Sequence, residues 1–483
     1  MALTININSD GYNVSNAINL AYISTTTTGV YKFKCLLEVT YATDSVNTKT
    51  ISFTQSKLTD STFLFDLGEI YKTIVTPMIT ASGIADFEGT SIPTQKWSIH
   101  HLPYQNSNNM RLFSSGIQGT TSPNNGFRGN ANVLTLKFYE FYSTTATGVP
   151  IKQTSTEVVK TIYLMYGRGE ADKKVVLDFS PYKAMNSTSS FLNSNYNRIS
   201  TTQVNIDIGK NEYHTLSFFN QSTINTLSAP DHIFFSYYEQ DGTTLGFLKA
   251  INQFASGGQP PSATNEDEFF LLTCGVGLNN LQNVDLSESP YSGTLPDSVS
   301  GGRDAIAYYD VTLRNVFNQP ITSIYRYNIK EYCSRYEQNR ISWLNKFGVW
   351  EYMTLNKAVE ENLEIERQTI TKPLLSQTTT LTAFSSAEYL NSIYPQNVAK
   401  QGEMISQIYA KEKLKLFTDN LTEDYEVEMI KDLMMSEQVH LLDGDNAVAL
   451  ILENSNMKLK GEKETGLFQY ELTFRYANPK YKL

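Results

Sequence analysis

The residue types that most often do chemistry are few in this chain, and their spacing suits none of the common reactions. There are five histidines and three cysteines in 483 residues. His100, His101, His214, His232 and His440 form neither an HxxxH nor an HExxH pair, so no helix can present two imidazoles to one metal ion. His100 and His101 are adjacent in WSIHHLPY, where an extended chain would point the rings to opposite faces. Cys35, Cys274 and Cys333 lie far apart without a CxxC and read as small apolar core residues. Nucleophilic hydrolysis lacks its GxSxG elbow. Gly167-Arg168-Gly169 lacks the third glycine of a dinucleotide loop, and no Walker loop is present. Asp443-Gly444-Asp445-Asn446 offers oxygens, but the register of a calcium loop is missing and a hairpin turn explains it. A chain with 49 acids always contains carboxylate pairs, yet none is singled out as a glycosidase pair. The expectation is a protein that is not an enzyme and uses neither cofactor nor metal.

The elements that would position these residues read mostly as β. In YKFKCLLEVTY, Phe33, Cys35, Leu37 and Val39 share one face of a strand. NVLTLKFYEFY, TEVVKTIYLMYG, TQVNIDIG and HTLSFF continue the pattern. Asp241-Gly242 sits between two strand-like runs as a hairpin turn would. A faint repeat joins Phe65-Asp66-Leu67-Gly68 to Leu177-Asp178-Phe179-Ser180: a strand ends in an Asp that caps the next turn. It suggests tandem β-sandwich modules. Further on, Arg340 to Asn345 and Val349 to Met353 read as two strands around Lys346-Phe347-Gly348, so that Trp343 and Trp350 would meet across the ladder. One good helix follows Asn420-Leu421-Thr422-Glu423, a capping pattern, with Tyr425, Met429, Ile430, Leu433 and Met434 at helical spacing. The fold class expected is mainly β, with tandem β-sandwich-like modules and a small α+β C-terminal part. The modules expected are 1–130, 131–310 with long loops, 311–400 carrying the WLNxxG hairpin, and 401–483. Gly, Pro, Ser and Asn cluster at 105–130, 186–200, 255–265 and 287–302, either as surface loops or as arms ordered against a neighbouring subunit.

Composition narrows the function classes. Lys and Arg total 39 against 49 Asp and Glu, a net charge of −10, which excludes a dedicated nucleic-acid binder. Aromatic residues make up 12%, which excludes a disordered chain. They fit sugar stacking, but more simply β-sandwich cores and subunit interfaces. The start, MALTININSDGYN, lacks the basic and apolar regions of a signal peptide, and no run approaches a membrane span, so the expectation is a soluble protein without membrane insertion.

The segment Tyr327 to Tyr352, with Cys333, Tyr336, Trp343-Leu344-Asn345, Gly348 and Trp350, resembles a C-x(9)-W-L-N-x-x-G-x-aromatic element of structural proteins in crAss-like and other Bacteroidetes-infecting tailed phages. The C-terminal part is similar too: strand, Thr418-Asp419, acidic helix, Met435-Ser436-Glu437-x-Val439-His440, strand. Before Tyr327 the likeness is one of style. The element marks a fold, so Cys333, Trp343, Leu344, Asn345, Gly348 and Trp350 are implied as a structural motif. The resemblance implies a tail component of the virion, made in the bacterial host cytoplasm. It would form a homo-oligomeric ring around the DNA channel, twelvefold as portals are. Its partners would be itself and neighbouring tail ring, portal or muzzle proteins. DNA would be passing cargo, which an acidic wall does not hold. The alternative is a surface carbohydrate-binding or depolymerase-type tail spike or fibre adaptor. Against a depolymerase spike stands the lack of short repeats building a β-helix.

Overall fold

The computed structural model is 59% strand and 10% helix, the mainly β class expected. It describes residues 3–7, 11–17, 19–42, 48–58, 61–75, 99–101, 112–114, 131–169, 178–183, 186–193, 197–220, 229–252, 270–282, 284, 286, 291–332, 338–357, 359–371, 403–418, 424–444, 446–453, 470–477 and 481–482.

Two sandwiches and an α+β unit follow one another. In the first, a three-stranded sheet (Leu3–Ile7, Leu20–Thr25, Thr62–Asp66) packs on a five-stranded sheet containing Tyr31–Ala42, Thr48–Ser56, Ala131–Ser143 and Ile151–Arg168. Phe33, Cys35, Leu37 and Val39 face its core, as their period predicts, opposite Ile23, Phe63 and Phe65. In the second, a three-stranded sheet of Leu112–Ser114, Thr215–Phe219 and Leu271–Gly275 lies against a seven-stranded sheet. The larger sheet includes Gln203–Gly209, His232–Tyr238, Tyr308–Arg314 and Ile324–Lys330. The third unit is an eight-stranded sheet from Asn339 onward, with the helix Asp424–Met434 burying Ile430 and Leu433 against it. Outside these cores, Tyr12, Val14 and Met165 of the first unit meet Phe219 and Phe270 of the second and Phe347 of the third.

The module boundaries need correction. Ala131–Ser143 pairs with Tyr31–Ala42, so the division expected at 130 runs through one sheet. Ile324–Lys330 pairs with both Gln203–Gly209 and Tyr308–Arg314, so 310 falls inside the second sandwich. The eight-stranded sheet joins Val359–Thr371 to Glu403–Phe417 across 400. Composition changes along the sequence, whereas hydrogen-bonded pairing joins strands distant in sequence.

Local turn chemistry fares better. Gly68 and Ser180 each donate their N–H to the preceding Asp, Asp66 Oδ1 and Asp178 Oδ1, at 2.9 Å, and a helical turn follows in both cases. Gly242 turns the hairpin of the second sandwich at φ +88°. The capping residues Asn420 to Glu423 lie outside the described residues. So do 105–111, 115–130, 194–196, 255–265 and 287–290 of the loop stretches, while 291–302 forms a short strand and tight 3-10 turns.

Candidate functional site

The hairpin of Asn339–Leu344 and Trp350–Leu355 sits where the three units meet. Its register sets Leu344 opposite Trp350 and Trp343 opposite Glu351. Residues opposite one another share a face and sequence neighbours do not. Trp343 and Trp350 are both buried, at 0% and 1% exposure, but on opposite faces, so the expected cross-ladder pair does not form. Trp343 enters the C-terminal core and donates its indole N–H to Asp432 Oδ2 at 3.0 Å. Trp350 enters the first core and stacks on His440, ring centroids 4.6 Å apart. Burial pushes the Asp432 carboxyl above its ordinary pKa, against the pull of Arg168, its ion-pair partner.

The turn is a clasp. Asn345 Oδ1 accepts the N–H groups of Phe347 (2.9 Å) and Val349 (3.3 Å). Asn345 Nδ2 donates to Leu192 O (3.1 Å) and Glu351 Oε1 (2.8 Å), which ties the hairpin to the second unit. Arg168 donates its N–H to Lys346 O at 2.9 Å, which ties it to the first. Gly348 has φ +71°, and a Cβ there would stand 1.9 Å from Tyr166 O. Trp343, Leu344, Asn345, Gly348 and Trp350 thus converge on one structural device. Cys333 and Tyr336 lie outside the described residues.

Beside the clasp is a buried polar network that the sequence did not reveal. The 3-10 turn Ile99–His101, not a strand, carries His100 into the core. His100 Nδ1 lies 3.0 Å from Tyr352 Oη and its Nε2 3.0 Å from His440 Nδ1. Tyr352 Oη also contacts Thr215 Oγ1 at 2.9 Å. Arg340 Nη1 pairs with Glu212 Oε2 at 2.7 Å, both side chains nearly buried, and donates to Thr354 Oγ1 at 2.8 Å. Arg340 Nη2 lies 3.3 Å from His214 Nδ1. Burial above all lowers the pKa of each histidine, for His440 to about 4, and neighbouring Arg340 adds to the effect at His100 and His214. All three rings are therefore neutral at neutral pH. Arginine only donates, so His214 Nδ1 accepts and the proton sits on Nε2, which has no hydrogen-bond partner. His232 lies apart, between Asp231 and Asn318. Among the described residues no three His, Cys, Asp or Glu side chains are grouped to hold a metal ion.

A cleft of about 400 Å³ opens next to this network. Asn205 to Asp207 of the second unit form one wall, Tyr352 to Leu355 of the hairpin another, and Tyr425 and Met429 of the helix a third.

The other conspicuous feature is a ribbon. Val359–Thr371 pairs with Glu403–Phe417 over its full length, whereas Glu471–Tyr476 flanks only Lys413 to Phe417. One ribbon face carries Glu360, Glu364 and Glu366 opposite or near Lys415, Lys413 and Lys411, at 3.4, 3.1 and 3.8 Å. The other continues outward from buried Leu416 and Leu414 to exposed Leu363 (56%) and Ile365 (43%). A bulge at Ser406 shifts the register, which sets Ile405 (50% exposed) opposite Thr369 on that same face. Among the described residues no helix is long and apolar enough to cross a membrane. No family model and no curated protein matches the chain.

Proposed function

We propose that the chain is a structural subunit of a tailed-phage virion, a ring or connector component of the tail that assembles with copies of itself around the DNA channel. The observation that carries this reading is the ribbon. A two-stranded ribbon is marginal in water by itself. A long edge strand with exposed aliphatic residues is an aggregation hazard unless another surface covers it. Leu363, Ile365 and Ile405 continue the core face beyond Glu471–Tyr476 and stand exposed, with only Tyr481–Lys482 pairing further out, on Tyr409 and Ala410. In a cyclic ring each subunit offers two different complementary faces, and a projecting arm is one economical way to supply one of them. The net charge of −10 suits a lumen past which DNA slides. The neighbours in this reading are further tail ring, portal or muzzle proteins.

The test is a cryo-electron microscopy map of the parent particle. Twelve copies, or another cyclic number, around the tail axis with the ribbon buried between neighbours is the expected result. A free monomer in infected cells, absent from purified virions, would overturn the reading.

A further inference from the structure

We infer that the outer strand of the ribbon, Val359–Thr371, pairs edge to edge with the same strand of a second copy, antiparallel and about a two-fold axis at Glu364. The pairing belongs to the free chain in solution and does not rest on the tail reading. Val359–Thr371 ends the eight-stranded sheet, so among the described residues its far side has no strand partner. At 13 residues it is the longest strand at a sheet end, ahead of Thr48–Ser56 with 9. Proteins usually keep such edges short, or interrupt them with a bulge or a proline. Here the bulge lies on the inner strand, at Ser406, and Val359–Thr371 contains no proline. Its outward N–H and C=O groups form a regular row that another strand can extend.

Charge chooses the partner and the register. Charged side chains can guard an edge by repelling a like strand, but on this strand they are arranged to attract one. Glu361, Leu363, Ile365 and Arg367 alternate along one face, all exposed. Among the described residues Glu361 and Arg367 have neither a hydrogen bond nor an ion pair. On the other face Glu360, Glu364 and Glu366 are held by Lys415, Lys413 and Lys411. Antiparallel strands set residues of one face opposite one another. Centred on Glu364, two copies oppose Glu361 to Arg367 twice and Leu363 to Ile365 twice. Moving the centre by one residue sets Arg367 against Val359 or Leu363, and Glu361 loses its partner too. On the far face Asn362 meets Glu366, an amide donor facing an acceptor. Glu364 meets its own copy, a like-charge contact that is softened because each carboxylate is paired with Lys413 at 3.1 Å. A two-fold pair covers both outer edges and offers no third one for growth.

The experiment follows the full chain by sedimentation equilibrium up to about 100 µM, a range that reveals dimers of weak affinity. The expected result is a monomer–dimer equilibrium. Glu361→Arg and Arg367→Glu should each weaken the dimer about tenfold, because each places two like-charge pairs across the strands. The double variant, and an equal mixture of the two single variants, should recover it, and recovery also shows that the chains are folded. Glu364→Cys should oxidise to a covalent dimer, since opposed residues stand about 4.5–5.5 Å apart at Cα, within disulfide reach. Thr371→Cys and the parent chain should not. A monomer at every concentration, dimers indifferent to both reversals, or reversals that the double variant does not rescue would overturn the inference. So would a chain that dimerises without forming the Glu364→Cys link. Edge amides protected from hydrogen exchange in a strictly monomeric chain would also overturn it, because the chain's own residues would then cover the strand. A ring that forms without any dimer would overturn it and leave the tail reading standing.

Discussion

Around His100 and Arg340, polar side chains are buried and meet partners from all three units; on the ribbon, acids and lysines pair in water while aliphatic side chains stand in the open. Similar residue types thus do different work. A buried ion pair such as Arg340–Glu212 is strongly destabilising to break, because the remaining charge stays buried. An exposed pair such as Glu366–Lys411 contributes about 0–1 kcal/mol. The junction therefore holds the fold together, and the ribbon is free to change without unfolding it.

The sharpest way to break this comparison is at Trp343. Trp343→Ala empties a fully buried site and removes the N–H from Asp432, so urea unfolding should lose about 4–5 kcal/mol. A loss near that of a surface change would place the stability elsewhere. Arg340→Met should cost about 3 kcal/mol by leaving Glu212 unpaired in the interior. Finding the variant as stable as the parent would mean that water reaches Glu212.

The pH dependence comes next. The folded pKa values of His100, His214 and His440 lie below that of an unfolded histidine, near 6.5. Their contribution is complete above pH 6.5 and declines as the pH falls, because the unfolded chain then binds protons that the folded chain does not; for His440 the decline continues through about pH 4. Each histidine adds up to about 1.4 kcal/mol per pH unit. Denaturant midpoints should be flat from pH 8 to 7 and fall between about 6.5 and 5, before the carboxylates titrate. His440→Gln should reduce that slope, and an unchanged slope would assign it to other groups. The smallest effect on stability belongs to the ribbon. Ile365→Ser combined with Ile405→Ser should move unfolding by no more than about 0.5 kcal/mol, yet abolish oligomers seen by native mass spectrometry. Equal assembly of the double variant would remove the ribbon from the interface.

How much of this could be read from sequence depended on range. Alternation located the strands around Phe33 to Val39, and Asp241-Gly242 and Lys346 to Gly348 located hairpins, because neighbouring residues decide those features. The repeated Asp66 and Asp178 caps were readable for the same reason. The two tryptophans were placed on the right hairpin but paired wrongly, since a one-residue difference in register reverses a face. The histidine network was not readable: His100 meets Tyr352 and His440 across 252 and 340 residues, and no spacing rule spans such a distance. Asp432 did leave a signal, an acid between Ile430 and Leu433 beside the buried row of its helix. The ribbon left one as well, aliphatic residues alternating with acids through Leu363-Glu364-Ile365-Glu366.

The strand Leu112–Ser114 belongs to the second sandwich, although the chain then returns to the first to lay down Ala131–Ser143. On the ribosome this imposes a schedule. The first sandwich cannot close before Arg168 has emerged, and Leu112–Ser114 must wait for Leu271–Gly275. His100 waits long: at about 5–20 residues per second, the 340 residues to His440 take roughly 20–70 seconds to make. Throughout that interval the N-terminal half carries apolar surface whose covering partners have not been synthesised. Its yield in a cell is set by what shields that surface in the meantime, and expression at lower temperature or with more chaperone should raise it before any substitution does.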